Sequence, residues 1–330
     1  MRIFVSALLP AALASAASAQ AATLVVDSSS DANLGDCTEA AADCSLCGAI
    51  NAANAAAGAY LIEFAIPDGD AGFTAATAHW RIEPITALPP LAGVLEINGY
   101  SQPGAITNTL APDQGGSNAV LKIELRGTAQ QGLNGLESGL TDFNAQSVIR
   151  GLAINRFNSQ MFLFGGGAHR VEGCFLGADI TGEVAALTGN SLRTIGVRLQ
   201  GPGAYVIGGY TPAARNLLSG VFRGGAEVGE ANLIANGAAA GITVDSCARV
   251  RISRNVFCGN RGPAIDNVQG GGFVGSTPND EGDADIGGNR LQNFPAALGI
   301  GIGDRDNPRT ALCGRLSARQ RRLSSDRRVL

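Results

Sequence analysis

Apolar and polar side chains alternate over short runs along much of this chain. Leu95 and Ile97, then Leu121, Ile123 and Leu125, repeat with period two, the mark of strands that turn successive side chains to opposite faces. Thr23–Val26 and Tyr60–Ile66 are short β-branched and apolar runs that also suit strands, the second ended by Pro67. Between them the spacing changes: Leu46, Ala49, Ile50 and Ala53 fall on one face of a helix, and Ser45 stands where it can cap the first turn.

The second half repeats. Gly196-Val197-Arg198-Leu199-Gln200, Gly225-Ala226-Glu227-Val228-Gly229, Gly241-Ile242-Thr243-Val244-Asp245 and Gly262-Pro263-Ala264-Ile265-Asp266 share one form, in which glycine leads and apolar residues alternate. A second element starts at Asn216, Asn232 and Asn255, and earlier copies start at Gly151 and Gly173, 22 positions apart. Periods near 20 with two short strands per unit predict stacked coils that bury apolar side chains against their neighbours, an all-β parallel β-helix. The fixed leucine frame of a leucine-rich repeat is missing. On this alignment Leu199, Val228, Val244 and Ile265 point inward, and Asp245 and Asp266 share an outward column on consecutive coils, about 5 Å apart.

Composition narrows the picture. The 330 residues include 46 glycines and are 45% hydrophobic but 16% charged, which excludes a charged disordered chain and a coiled coil. A net charge of −4 gives no basic footprint, so nucleic acid is not an expected partner. Lys122 is the only lysine, which removes any mechanism needing two. Met1-Arg2, a mostly apolar stretch from Ile3 to Ala14 and small residues at Ala17, Ala19 and Ala21 read as a secretory signal over residues 1–21. The expected location is secreted or cell-surface, with no transmembrane segment. Seven cysteines then meet an oxidising compartment. Cys37 and Cys44 read as a disulfide ahead of the helix, and an odd count leaves at least one thiol unpaired or intermolecular.

The run Cys44-Ser45-Leu46-Cys47-Gly48-Ala49-Ile50-Asn51-Ala52-Ala53-Asn54, with VVDS and GDC elements upstream, resembles the CSLREA motif of exported bacterial and archaeal surface proteins. Cys47 stands where that family has Arg, and Gly48 where it has Glu. The segments INGYSQPG (97–104) and the acidic run ending in LQNFP (291–295) are also similar to the family. The resemblance covers most of residues 22–295. It implies an N-terminal cap over 22–67, whose short helix covers the open end of a right-handed parallel β-helix over 68–303. It says little about activity.

Candidate chemistry is sparse. Asp245 and Asp266, with Arg249 and Arg251 nearby in sequence, offer a cation site, an ion-paired cluster or a catalytic carboxylate pair at a retaining glycosidase's spacing; solvated turn residues are the plainer alternative. In a polysaccharide lyase an arginine of this group would be the base. Asp280, Asp283 and Asp285 could hold Ca²⁺ from one loop, although their spacing is not that of an EF-hand, and no cofactor is required. His79 and His169 stand apart from each other and read as ordinary surface or turn residues. Cys174 and Cys258 are read as comparable strand slots filled by small hydrophobes. The sole tryptophan, Trp80, rules out a platform of several tryptophans, but single Phe or Tyr rings can still stack on sugars. No nucleotide, metalloprotease or G-x-S-x-G motif occurs.

Residues 304–330 carry eight arginines against three aspartates and read as a disordered basic tail, able to contact anionic polymers, or as a truncated or frame-shifted end. The functional expectation is an exported carbohydrate-binding or adhesive module whose partner is an extracellular polysaccharide or surface polymer. The alternatives are a polysaccharide lyase or glycoside hydrolase and a purely structural surface solenoid.

Overall fold

Ser45 sets the first element. Its hydroxyl accepts a hydrogen bond from the Gly48 amide at 3.0 Å and caps helix α1 (Leu46–Ala55), while Leu46, Ala49, Ile50 and Ala53 are buried as the helical spacing predicts. The helix packs on β1 (Ala22–Val26) and β2 (Ala59–Phe64), and the Cys37–Cys44 disulfide closes the loop ahead of it. A hairpin of β3 (Phe73–Thr74) and β4 (His79–Ile82) follows. The computed structural model describes residues 21–111, 117–127, 138–143, 146–157, 159–182, 195–219, 241–246, 249–258 and 265–268. Residues 1–20 of the expected signal segment, the repeats expected at Gly225 and Asn232, Asp280, Asp283 and Asp285, and residues 304–330 lie outside them.

The remaining strands come in threes: β5 (Val94–Asn98), β6 (Ile123–Arg126) and β7 (Ser138–Phe143); β8 (Gln146–Arg150), β9 (Leu152–Asn155) and β10 (Ser159–Phe164). Three further sets follow: β11 (Ala168–Glu172), β12 (Phe175–Leu176) and β13 (Ile195–Gln200); β14 (Ala204–Gly208), β15 (Leu217–Ser219) and β16 (Ile242–Asp245); β17 (Arg249–Ser253), β18 (Val256–Cys258) and β19 (Ile265–Val268). The first member of each set joins sheet 1, in the order β1-β2-β5-β8-β11-β14-β17. The second joins sheet 2, β3-β4-β6-β9-β12-β15-β18, and the third joins the five-stranded sheet 3, β7-β10-β13-β16-β19. Every pairing except the β3–β4 hairpin is parallel.

Side chains alternate across each strand, so one face of all three sheets feeds a shared core. Ile62, Ile97, Ile149, Val171 and Ile207 stack from sheet 1, Ile82, Leu125, Ile154 and Leu176 from sheet 2, and Leu140, Met161, Val197 and Ile242 from sheet 3. The INGYSQPG segment is a latch. Tyr100 donates its hydroxyl hydrogen to the Gly173 carbonyl at 2.7 Å, and the Gln102 amide bonds both the N–H and the carbonyl of Ile66 at 2.9 Å.

Most of the repeat alignment holds. Ala153 pairs with Phe175, Val197 with Ile242, and Leu217 with Val256, which sets Asn216 level with Asn255. Those two asparagines form a ladder at the corner between sheets 1 and 2: the Asn216 amide donates to Asn255 Oδ1 at 3.1 Å, and the Asn255 amide to the Ile207 carbonyl at 2.9 Å. The last repeat is corrected by two residues, because Ile265 pairs with Ile242 rather than with Val244. Cys174 and Cys258 do not share a slot either: Cys174 is level with Asn216, whereas Cys258 extends the column of Ser219. Cys174 is buried, and burial pushes its thiol up to about 12. Among the described residues no helix is long and apolar enough to cross a membrane.

Candidate functional site on the outward face of sheet 3

The outward positions of sheet 3 form two columns. Thr141, Phe162, Arg198, Thr243 and Asp266 stand in one, and Phe143, Phe164, Gln200, Asp245 and Val268 in the other. Three phenylalanines therefore meet outside the core. Phe143 and Phe164 contact edge to face with centroids 5.8 Å apart, and Phe162 lies 6.2 Å and 6.0 Å from them. Phe143 is 44% and Phe164 36% exposed, so the apolar surface reaches solvent. Arg198 lays its guanidinium over the Phe162 ring, 4.8 Å from the centroid, and reaches Gln200 Oε1 at 3.3 Å. The cluster continues as a polar row on the next two strands.

The two-residue correction changes the acidic pair. Asp245 pairs with Val268 and Asp266 with Thr243, so the two residues are diagonal neighbours in adjacent columns, their strand positions about 7–8 Å apart rather than about 5 Å. Neither is solvated: Asp245 is 3% and Asp266 1% exposed. Asp245 accepts from the Ser246 hydroxyl at 2.9 Å, whereas both Asp266 oxygens and the Thr243 hydroxyl are buried without a hydrogen-bond partner. Desolvation raises the Asp266 carboxyl above its ordinary value. Arg249 and Arg251 do not join the pair. They project outward from β17 in sheet 1, past the corner at Ser246, and Arg251 stacks on Tyr210.

Both histidines are buried, which corrects the surface reading. His169 Nδ1 lies 2.9 Å from Asp142 Oδ2 and 3.3 Å from the Ser147 hydroxyl, and its ring stacks on Tyr205 at 4.9 Å. A serine, a histidine and an aspartate meet here without forming a nucleophilic triad. Serine and carboxylate share one ring nitrogen, and all three side chains face the core, out of a substrate's reach. His79 Nε2 lies 3.2 Å from Glu124, which also accepts from Arg81 at 2.8 Å and Asn155 at 2.9 Å. Burial alone would raise the Glu124 carboxyl, but the hydrogen bonds from His79, Arg81 and Asn155 outweigh it and hold it at about 2. Trp80 is buried and donates to the Pro67 carbonyl, so it offers no sugar platform.

The phenylalanine cluster is the feature that sequence reasoning passed over. Phe143 and Phe164 lie 21 positions apart, a separation that matches the repeat period and could have shown it. No group of three or more His, Cys, Asp or Glu side chains able to hold a metal ion occurs among the described residues. No family model, curated protein or solved structure matches the chain.

Proposed function

We propose that this chain is an exported right-handed parallel β-helix with a CSLREA-like N-terminal cap, and that it binds a carbohydrate polymer along the outward face of sheet 3. Strands that visit three parallel sheets in rotation around one core support the architecture. The solvent-facing cluster of Phe143, Phe162 and Phe164 carries the binding reading. Aromatic rings gathered on an exposed strand face stack on the apolar faces of sugar rings, while Arg198 and Gln200 beside them bond hydroxyls.

The test is retention of neutral and acidic polysaccharides on the immobilised protein. Replacing Phe143 and Phe164 together by Ala is expected to abolish retention of at least one polymer that the parent chain holds, with little change in melting temperature. Equal retention by parent and variant would move the site elsewhere.

A polysaccharide-cleaving reading would need Asp245 and Asp266, 3% and 1% exposed, to open to solvent, and their diagonal register does not suit a retaining pair. In that case polymers shorten on incubation, and Asp245→Asn with Asp266→Asn stops the shortening. A solenoid that is only structural predicts neither retention nor shortening.

A further inference from the structure

We propose a second binding site, for the anionic groups of an acidic sugar polymer, where Tyr210 meets Arg251 and Arg254 at the corner between sheets 1 and 2. Tyr210 sits in the loop between β14 and β15 and is 65% exposed. Arg251 places its guanidinium 4.8 Å from the ring centroid and Arg254 places its own at 5.6 Å, so one ring holds two cations side by side. Arg254 also donates to the Tyr210 carbonyl, and Arg251 to its hydroxyl at 3.4 Å. Arg249, two positions before Arg251 on the same outward face of β17, adds a third exposed charge. No carboxylate lies within ion-pair reach of these three arginines among the described residues. Beneath them Arg215 is buried with its guanidinium on the Leu110 carbonyl, and burial followed by the charge of Arg254 pushes it below its ordinary value.

Arg254 turns the corner after β17 in the left-handed conformation, with φ 56°, as Gly151 at 70° and Gly173 at 61° do after β8 and β11, whereas Gly209, level with Arg254 on the neighbouring strand, does not. Glycine adopts it freely, whereas a long side chain is strained there, so Arg254→Gly relaxes the corner. An arginine fork fixed by an aromatic ring, with N–H groups left over for solvent, is built to take a carboxylate or sulfate. The three arginines lie within six residues of one another, on β17 and the corner after it. A cluster this small suits a few anionic groups of a sugar chain rather than a continuous phosphate backbone.

This inference rests on the polymer-binding reading and names the ligand class for it. The purified protein is titrated with polygalacturonate, heparin, neutral dextran and a single-stranded oligonucleotide at two salt concentrations. Binding of polygalacturonate, heparin or both is expected, weaker at high salt; polygalacturonate identifies carboxylate as the group taken and heparin sulfate. Arg254→Gly is expected to weaken that binding about tenfold, the scale of a lost charged hydrogen bond, with a melting temperature unchanged or raised because the corner relaxes. Arg251→Gln, on a regular strand, is expected to give a similar loss without touching the corner. Anionic-polymer binding unchanged in both variants, or a stronger preference for the oligonucleotide, overturns the proposal. Dextran binding that needs Phe143 and Phe164, with no binding of anionic polymers, overturns this site alone. Binding of no polymer overturns both readings.

Discussion

Glu124 shows how one buried carboxylate ties the β3–β4 hairpin to the body. It takes hydrogen bonds from His79 and Arg81 on one side and Asn155 on the other, and its folded value of about 2 lies below the ordinary 4.5. A depressed carboxylate contributes stability that is complete above the ordinary value and fades as pH falls towards the folded one. Glu124→Gln is therefore expected to lose about 3 kcal/mol at pH 7 and little near pH 2. Denaturant melts at both pH values measure this, and an equal loss at both would remove the ionic explanation. Asp266 has the opposite sign. Its carboxyl is raised by burial, so the ionised form weakens the fold as pH rises through the ordinary carboxylate range, and Asp266→Asn should stabilise the protein at pH 7 but not at pH 3. The Asp142–His169 pair faces the core beside Leu163 and Ser147. Replacing either partner alone removes the buried hydrogen bond between them, a loss of about 1–3 kcal/mol read as a lower denaturation midpoint.

At the level of elements, the helix that packs on the first two strands depends on its cap. The Ser45 hydroxyl accepts from Leu34 and Gly48 and donates to the Ala32 carbonyl, joining helix and preceding loop. Ser45→Ala is expected to lose about 1–2 kcal/mol, read as a lower denaturation midpoint. This element was legible in the sequence because its signals are local: a capping residue, a helical spacing of apolar positions, two cysteines a short loop apart. The strands around Ile62, Ile97 and Ile123 were legible for the same reason. Register was less so. Side chains alternate with period two, so a slip of two residues preserves which positions face inward, and the apolar pattern around Ile265 fits Val244 and Ile242 equally well. The two-residue slip places Asp266 in the outward column next to that of Asp245 rather than in the same one, which does not suit a retaining pair. Histidine partners were hidden by distance along the chain. Asp142 lies 27 positions from His169, and Glu124 lies 45 positions from His79; only strand pairing brings them together.

Across the whole molecule, stacking makes stability depend on position. Each inner strand of sheet 1 has two parallel neighbours, whereas among the described residues β1 pairs only with β2 and β17 only with β14. Opening should therefore begin at the edges and reach the centre last. Ile149 is the sharpest probe: it is fully buried, sits between Ile97 and Val171 in the central column, and belongs to the core that all three sheets share. Ile149→Ala leaves a void that neighbours locked in two parallel ladders cannot collapse into, at a loss of about 2–5 kcal/mol. Native-state hydrogen exchange is the measurement that separates stacking from ordinary globular behaviour. In the parent chain the amides of β5, β8 and β11 should exchange more slowly than those of β1. In Ile149→Ala the protection of β5, β8 and β11 should fall most, and that of β1 should fall less because β2 and β5 separate it from the void. A uniform fall across every strand would mean that the sheets unfold as one unit, and that nearest-neighbour coupling does not describe this chain.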